Sequence, residues 1–178
     1  MVGKQYYRRM HDAYKKAAYI VLSVGAHIVL RPSRHVLSRA LVVDSDHILL
    51  MRQLGGLSYN LPGGHVDGGE SIRNAVEREC FEECGVRLKA EKILGIVELN
   101  YKKFGFLKKQ TLTFVWKMTP LAMHDQVYGR EYFEKPEWVP LSDLENLDLR
   151  PAILKKWIPE WIKTDQIIFH PTVPVDFW

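Results

Sequence analysis

Residues 39–52 read RALVVDSDHILLMR, two short apolar runs rich in β-formers and split by Asp44-Ser45-Asp46. That pattern predicts a β-hairpin with the Asp-Ser-Asp tripeptide at its turn. Glycines crowd residues 61–69 (LPGGHVDGG), and so many would weaken a helix or a strand, so a loop is expected there. Apolar positions then recur at helical spacing over residues 71–84, with Gly85 well placed to end the helix. Residues 93–100 and 111–118 return to β-rich character and are predicted strands, joined through the tip Lys102-Lys103-Phe104-Gly105-Phe106. A last short strand is expected at 137–141. A closing helix is expected at 151–162, where Trp157 and Trp161 share a face. With no internal repeat and no low-complexity stretch, the economical reading is one mixed α/β domain carrying an N-terminal appendage.

The helix predicted at 71–84 carries its acids in an unusual place. On a helical wheel Ile72, Ala75, Val76 and Cys80 define the face turned to the core. Glu79 and Glu83 fall within about 20° of Ile72 and Glu82 within about 80°, so three carboxylates lie on or beside the apolar stripe. A merely solvated glutamate belongs on the opposite side, where Glu77 falls. Partly buried carboxylates repel one another, and protonation, basic partners or a cation must relieve them. Arg78 can pair with one but cannot neutralise three. Hard oxygen donors gathered this way suit Mg²⁺ or Mn²⁺ better than Zn²⁺, which favours His and Cys. Phe81 points away from the inferred core. The helix is therefore expected to be covered on its second side too, by the closing helix near Trp157 and Trp161 or by the N-terminal arm.

Composition changes the picture mainly at the N-terminus. A chain of 178 residues that is 47% apolar and 26% charged can bury a core unaided, and it is neither disordered, collagen-like nor a disulfide scaffold. Its two cysteines, Cys80 and Cys84, share a helix face and read as small buried apolar groups. The formal charge of +4 is unevenly spread: residues 1–39 hold eight Lys and Arg against Asp12 alone, leaving 17 basic and 20 acidic residues in the remainder. A basic arm precedes a mildly acidic body.

Within the arm, residues 17–30 (AAYIVLSVGAHIVL) form an apolar run. As a helix it would span only about 21 Å, short of the ~30 Å hydrocarbon core. The Arg31-Pro32-Ser33-Arg34 that follows does not suit a signal-peptide cleavage site. A cytoplasmic protein is expected. Two readings of the arm stand: a helix packed on the main domain and stopped before Pro32, or an interfacial helix giving residues 1–34 a peripheral membrane contact, anchored by Tyr6, Tyr7, Tyr14 and Tyr19.

Loop and helix together carry a recognisable spacing. Gly64, five residues, Glu70, seven residues, Arg78-Glu79-Cys80, one residue, Glu82-Glu83, one residue and Gly85-Val86 resemble the Nudix box. The one soft departure is Cys80, where the pattern has an aliphatic residue. Leu61-Pro62-Gly63 before the box and residues 137–141 after it are similar to Nudix flanking strands, so the resemblance runs from about Ser38 to Leu149. It implies a Nudix-type α/β/α sandwich around a mixed β-sheet. The expected organisation is a helical extension at 1–37, the Nudix domain at 38–165 and a C-terminal tail at 166–178.

The resemblance implies a pyrophosphohydrolase that cleaves the pyrophosphate linkage of a nucleoside diphosphate derivative, such as a nucleoside triphosphate or ADP-ribose, with Mg²⁺ or Mn²⁺. Glu79, Glu82 and Glu83 would hold the metal with the Gly64 carbonyl. Arg78 would orient the glutamates, and Glu70 and Gly85 would brace the box. For the general base, Glu82 or Glu83 is the first choice and Glu98 the second; Glu131 and Glu134 are carboxylates that no spacing selects. His65 reads as an exposed loop residue. Tyr59, Phe104, Phe106 and Trp116 are candidates to stack on a base, or else core aromatics. Lys102 and Lys103, with Lys108 and Lys109, form a basic tip suited to phosphates or RNA, or simply to solubility. A nucleotide-type small molecule is the expected partner, and a homodimer is compatible with it. The alternative is a non-catalytic Nudix-like module that senses a nucleotide.

Overall fold

In the computed structural model, which describes residues 33–53, 55, 58–103, 107–120 and 134–174, the hairpin turns over two residues. Val43 pairs with Ile48 and Asp44 with His47, joining β1 (Ser33–Asp44) to β2 (His47–Gln53). Ser45 takes the left-handed conformation that so tight a reversal requires, at φ 55°. The apolar arm, Phe104, Phe106 and Glu131 lie outside the described residues. No helix among the described residues is long and apolar enough to cross a membrane.

Strands β3 (Ser58–Asn60) and β4 (Gly63–His65) lead into helix α1 (Ile72–Cys84). There follow β5 (Leu88–Lys103), β6 (Leu107–Pro120), β7 (Glu134–Pro140), a 3₁₀ turn (Leu141–Asn146), β8 (Asp148–Leu149), helix α2 (Leu154–Thr164) and β9 (Ile168–Pro174). The strands join in the order β8-β3-β2-β1-β6-β5-β9, with β4 also paired to β1 and β7 to β2. The sheet is mixed: β1 runs parallel to β6 from Ser33↔Lys109 to Val42↔Met118, whereas β5 and β6 form a long antiparallel hairpin.

The near-continuous apolar runs of β1 and β2 arise because both faces of the sheet are covered. Ala40, Val42, Leu49, Met51, Trp116 and Met118 pack with Val76, Cys80 and Cys84 of α1. The alternate positions Leu41, Ile48, Leu50 and Val115 pack with Leu154, Trp157, Ile158 and Trp161 of α2. This is the α/β/α arrangement that the box implied. Trp161 is fully buried and lies so close to β5 that a Cβ on Gly95 would come within 2.5 Å of its indole. Asp165 ends α2 and accepts from Lys92 and, at 3.1 Å, from Lys117, which ties the helix end to the central hairpin.

Three expectations change, two at the ends of the domain and one at Glu77. β1 starts at Ser33, so residues 33–37, assigned to the extension, are strand. Residues 168–174, assigned to a tail, form β9 and pair in parallel with β5. Of the two covers expected over Phe81, the closing helix lies on the other face of the sheet and the N-terminal arm lies outside the described residues; the Arg87 guanidinium sits 5.5 Å from its ring centre. Glu77 is not merely solvated. It accepts a 3.0 Å hydrogen bond from Ala90 N–H while Arg73 donates to the Ala90 carbonyl. Ala90 borders a register shift in the β5–β6 ladder, and such irregularities leave backbone groups that need other partners. The exposed-looking side of α1 supplies them.

Candidate active site

The start of the glycine-rich segment is held between β1 and α1. β4 pairs with β1 through Ser38↔Gly64 and Arg39↔Gly63. Ser38, fully buried, donates from its hydroxyl to the Ile72 carbonyl at 2.7 Å and accepts from the Trp116 indole at 3.0 Å, which fixes the start of the helix on the sheet. Ser71 caps α1 by accepting from Asn74 N–H, and Gly85 ends it at φ 73° with its N–H on the Phe81 carbonyl. Gly63 adopts φ 116°, and a Cβ there would lie 2.3 Å from the Ser38 carbonyl oxygen. At Gly64 a Cβ would come within 2.5 Å of the Glu79 carboxylate. Only glycine lets strand and helix approach this closely.

Arg78 is the hub. Its Nε and Nη2 grip both oxygens of Glu70 at 3.0 Å, and Nη2 also donates to the His65 carbonyl at 3.2 Å. Nη1 donates to Glu79 at 3.0 Å and to Glu82 at 3.1 Å. Pairing with Glu70 above all raises the affinity of Arg78 for its proton, and the same contact lowers the Glu70 carboxyl below its ordinary range. The guanidinium therefore stays charged and joins the loop to two turns of the helix.

The three box glutamates differ in exposure, and Glu82, farthest from the apolar stripe on the wheel, is the most exposed. Glu83 is buried, the Glu79 side chain is 17% exposed and that of Glu82 52%. Glu83 accepts a 2.7 Å hydrogen bond from Gly63 N–H. Burial pushes its carboxyl up to about 7, against the opposing pull of that hydrogen bond and of the Arg39 charge. Arg39 donates to the carbonyls of Leu61 and Gly63, which clamps the strand preceding the box. Burial likewise pushes the Cys80 and Cys84 thiols up, Cys84 to about 12, so both act as apolar packing groups.

Among the described residues no three His, Cys, Asp or Glu side chains converge closely enough to hold an ion as they stand. Arg78 draws Glu79 and Glu82 to itself while Glu83 turns to Gly63. The donor chemistry still fits a hard divalent cation. Of three carboxylates on adjoining turns of one helix, Glu79 and Glu83 meet the backbone of Gly64 and Gly63, whose missing Cβ leaves room beside Glu79, and Glu82 joins them through Arg78.

The other expected residues are dispersed. Glu98 lies on β5, half-buried, and accepts from Gln110 at 2.6 Å. Glu134 accepts from Gln53 and Asn60, each at 3.5 Å. His65 is exposed, edge-on to His35 at 5.2 Å. Tyr59 packs against the α2-side core, where burial and the neighbouring Glu137 hold its hydroxyl above its ordinary value. Trp116 is buried under α1. Lys102 and Lys103 lie at the end of β5.

Sequence reasoning passed over Arg39, Asn60, Thr111 and Thr113. With His65 they line a cavity of about 330 Å³ on the α2 side of the sheet. The signal for Arg39 was a charged residue opening an apolar strand. The threonines gave none, because polar alternation in a strand reads as a solvated face.

A profile of the NUDIX domain matches residues 33–161. The uncharacterized Nudix hydrolase YvcI of Bacillus subtilis is 25% identical over 111 residues, 60% of this chain and 66% of that protein. The m7GpppN-mRNA hydrolase dcap-2 of Caenorhabditis elegans is 29% identical over 124 residues, 65% of this chain and 15% of that protein. The chain thus spans less than two thirds of either relative. The mutator MutT protein of Bacillus halodurans superposes with a TM-score of 0.62 at 23% identity, covering 79% of this chain and 89% of that one, a likeness of fold. With the full box in place and the profile spanning most of the chain, the protein belongs to the NUDIX domain family.

Proposed function

We propose that the domain hydrolyses the pyrophosphate linkage of a nucleoside diphosphate derivative with the help of a divalent cation, Mg²⁺ or Mn²⁺. The observation that carries this reading is the Arg78 hub, which holds Glu70, Glu79 and Glu82 around a glycine backbone beside the buried Glu83. Glu79, Glu82, Glu83 and the Gly64 carbonyl would hold the cation. Bound there, it would neutralise the phosphate oxygens and make a water acidic enough to attack. Arg78 positions the carboxylates, and Glu70 positions Arg78. Glu82, the most exposed of the three, is the first choice to accept the water's proton, with Glu83 next to it and Glu98 as the reserve. A relative named for hydrolysing an mRNA cap is consistent with a nucleotide anhydride as substrate.

The test is phosphate release, coupled to a phosphatase, from nucleoside triphosphates, ADP-ribose, other sugar nucleotides and capped RNA, with Mg²⁺ and with chelator. Metal-dependent turnover of at least one is expected, and Glu82→Gln and Glu83→Gln should each lose on the order of 10² in rate. Nucleotide binding without turnover would replace this reading with the sensing module; unchanged turnover in both variants would remove the glutamates from the chemistry.

A further inference from the structure

The cavity beside the box contains polar groups that the protein leaves unmet. Thr111 and Thr113 lie at alternate positions of β6 on the face opposite α1, 3% and 7% exposed, and both line the cavity. Neither hydroxyl has a hydrogen-bond partner among the described residues, and neither does Oδ1 of Asn60 on the adjoining wall. Leaving a buried polar group unmet costs about 1–3 kcal/mol. Three such atoms around one cavity are accounted for most simply by a ligand that meets them.

The rest of the wall says what that ligand is like. Leu61, Val97, Leu99, Val115 and Trp157 supply apolar surface. The lining cations are already engaged: Arg39 with the Leu61 and Gly63 carbonyls, Arg150 with the Asp148 carboxylate at 2.8 and 3.0 Å. Arg150 is thus neutralised by its carboxylate, whereas Arg39, bound to neutral carbonyls, keeps its charge, and a densely anionic group would meet that one cation in a largely apolar wall. A flat, neutral ring with polar edges would find apolar walls and, about 7 Å apart along the strand, two hydroxyls that each donate and accept. The position is right as well. Arg39 and His65 belong both to the cavity wall and to the β1–β4 pair that carries Gly63 and Gly64.

We propose that Thr111 and Thr113, with the Asn60 amide, are specificity-determining residues that hydrogen-bond the edge of a nucleobase seated in this cavity. The proposal deepens the hydrolase reading and rests on it for the placement of the substrate's pyrophosphate at the box.

Binding is measured separately from turnover, by calorimetry in chelator, with adenosine, guanosine, cytidine and uridine 5′-diphosphates, with ribose 5-phosphate as a probe that lacks a base, and with inositol hexakisphosphate as a dense anion. Wild type should prefer at least one nucleotide over ribose 5-phosphate about tenfold or more, and Thr111→Val and Thr113→Val should each cut that preference about 5- to 50-fold. Ribose 5-phosphate binding should stay the same, and the thermal midpoint of the ligand-free variants should be equal to or above that of wild type, because each loses an unmet buried hydroxyl. Equal affinity of wild type for nucleotides and ribose 5-phosphate, tighter displacement by inositol hexakisphosphate, or an untouched base preference in both variants would overturn the proposal. Base-selective binding without hydrolysis would leave it standing and remove the hydrolase reading. Hydrolysis with no base preference altered by either variant would do the reverse.

Discussion

The Glu83 carboxylate, near the end of α1, accepts its 2.7 Å hydrogen bond from the first backbone N–H of β4, that of Gly63. One buried acid thus joins the last turn of the helix to the start of the glycine strand. It also stores a pH dependence. With its carboxyl raised from 4.5 to about 7 by burial, the group favours the folded state most below its unfolded value. That advantage is lost as pH rises through about 7, and a shift of this size is worth up to about 3 kcal/mol. In chelator, the unfolding temperature of wild type should fall between pH 4.5 and 7. Glu83→Gln should remove this part of the profile, and Mg²⁺ at pH 8 should raise the midpoint of wild type more than that of the variant. Parallel profiles for the two proteins would contradict the burial argument.

Adjacent glycines should fail in different ways. Gly63→Ala puts a methyl against the Ser38 backbone at a φ that alanine resists, so it should destabilise the fold by on the order of 2 to 4 kcal/mol in urea titrations. At Gly64→Ala the atoms nearest the new methyl are the carboxylate end of Glu79, a side chain that can shift where the Ser38 backbone cannot. The substitution should shift stability by less than about 1 kcal/mol while lowering turnover about tenfold or more, by displacing that carboxylate.

Arg78→Lys keeps the charge but loses the fork that holds Glu70, Glu79, Glu82 and the His65 carbonyl together. Divalent-metal affinity, followed by Mn²⁺ titration, should weaken about 10- to 100-fold. Affinity equal to wild type would show that the guanidinium does not position the carboxylates.

Glu77→Ala removes the acceptor for Ala90 N–H. Chemical denaturation should register a loss of about 1 kcal/mol. Amide exchange at Ala90 should speed up more than at its strand neighbours, and Glu77→Gln, which can still accept, should retain most of both.

Much of the site was legible because it is local. Termination at Gly85 and the greater exposure of Glu82 than of Glu79 and Glu83 follow from one helix repeat and one wheel. Glu77 was misjudged for the same reason: a wheel knows one core face, and the partner that uses Glu77 is a ladder irregularity in a strand thirteen residues away. Residues 168–174 look like a tail because a parallel partner strand leaves no local trace. Thr111 and Thr113 acquire meaning only when α2 roofs their face of the sheet, an event of tertiary structure.

The parallel pairing of β1 with β6 separates two kinds of position by parity. Ser38, Ala40, Val42, Trp116 and Met118 look toward α1 and the carboxylates, and Leu37, Arg39, Thr111, Thr113 and Val115 look toward the cavity. Under the proposed function, drift at the odd-numbered sites would alter what the cavity takes while the even-numbered ones keep the packing beneath the carboxylates. A saturation library selected on one substrate and then on another should show reshuffled tolerances at every second codon of these strands. New diets would then be acquired without rebuilding the machinery.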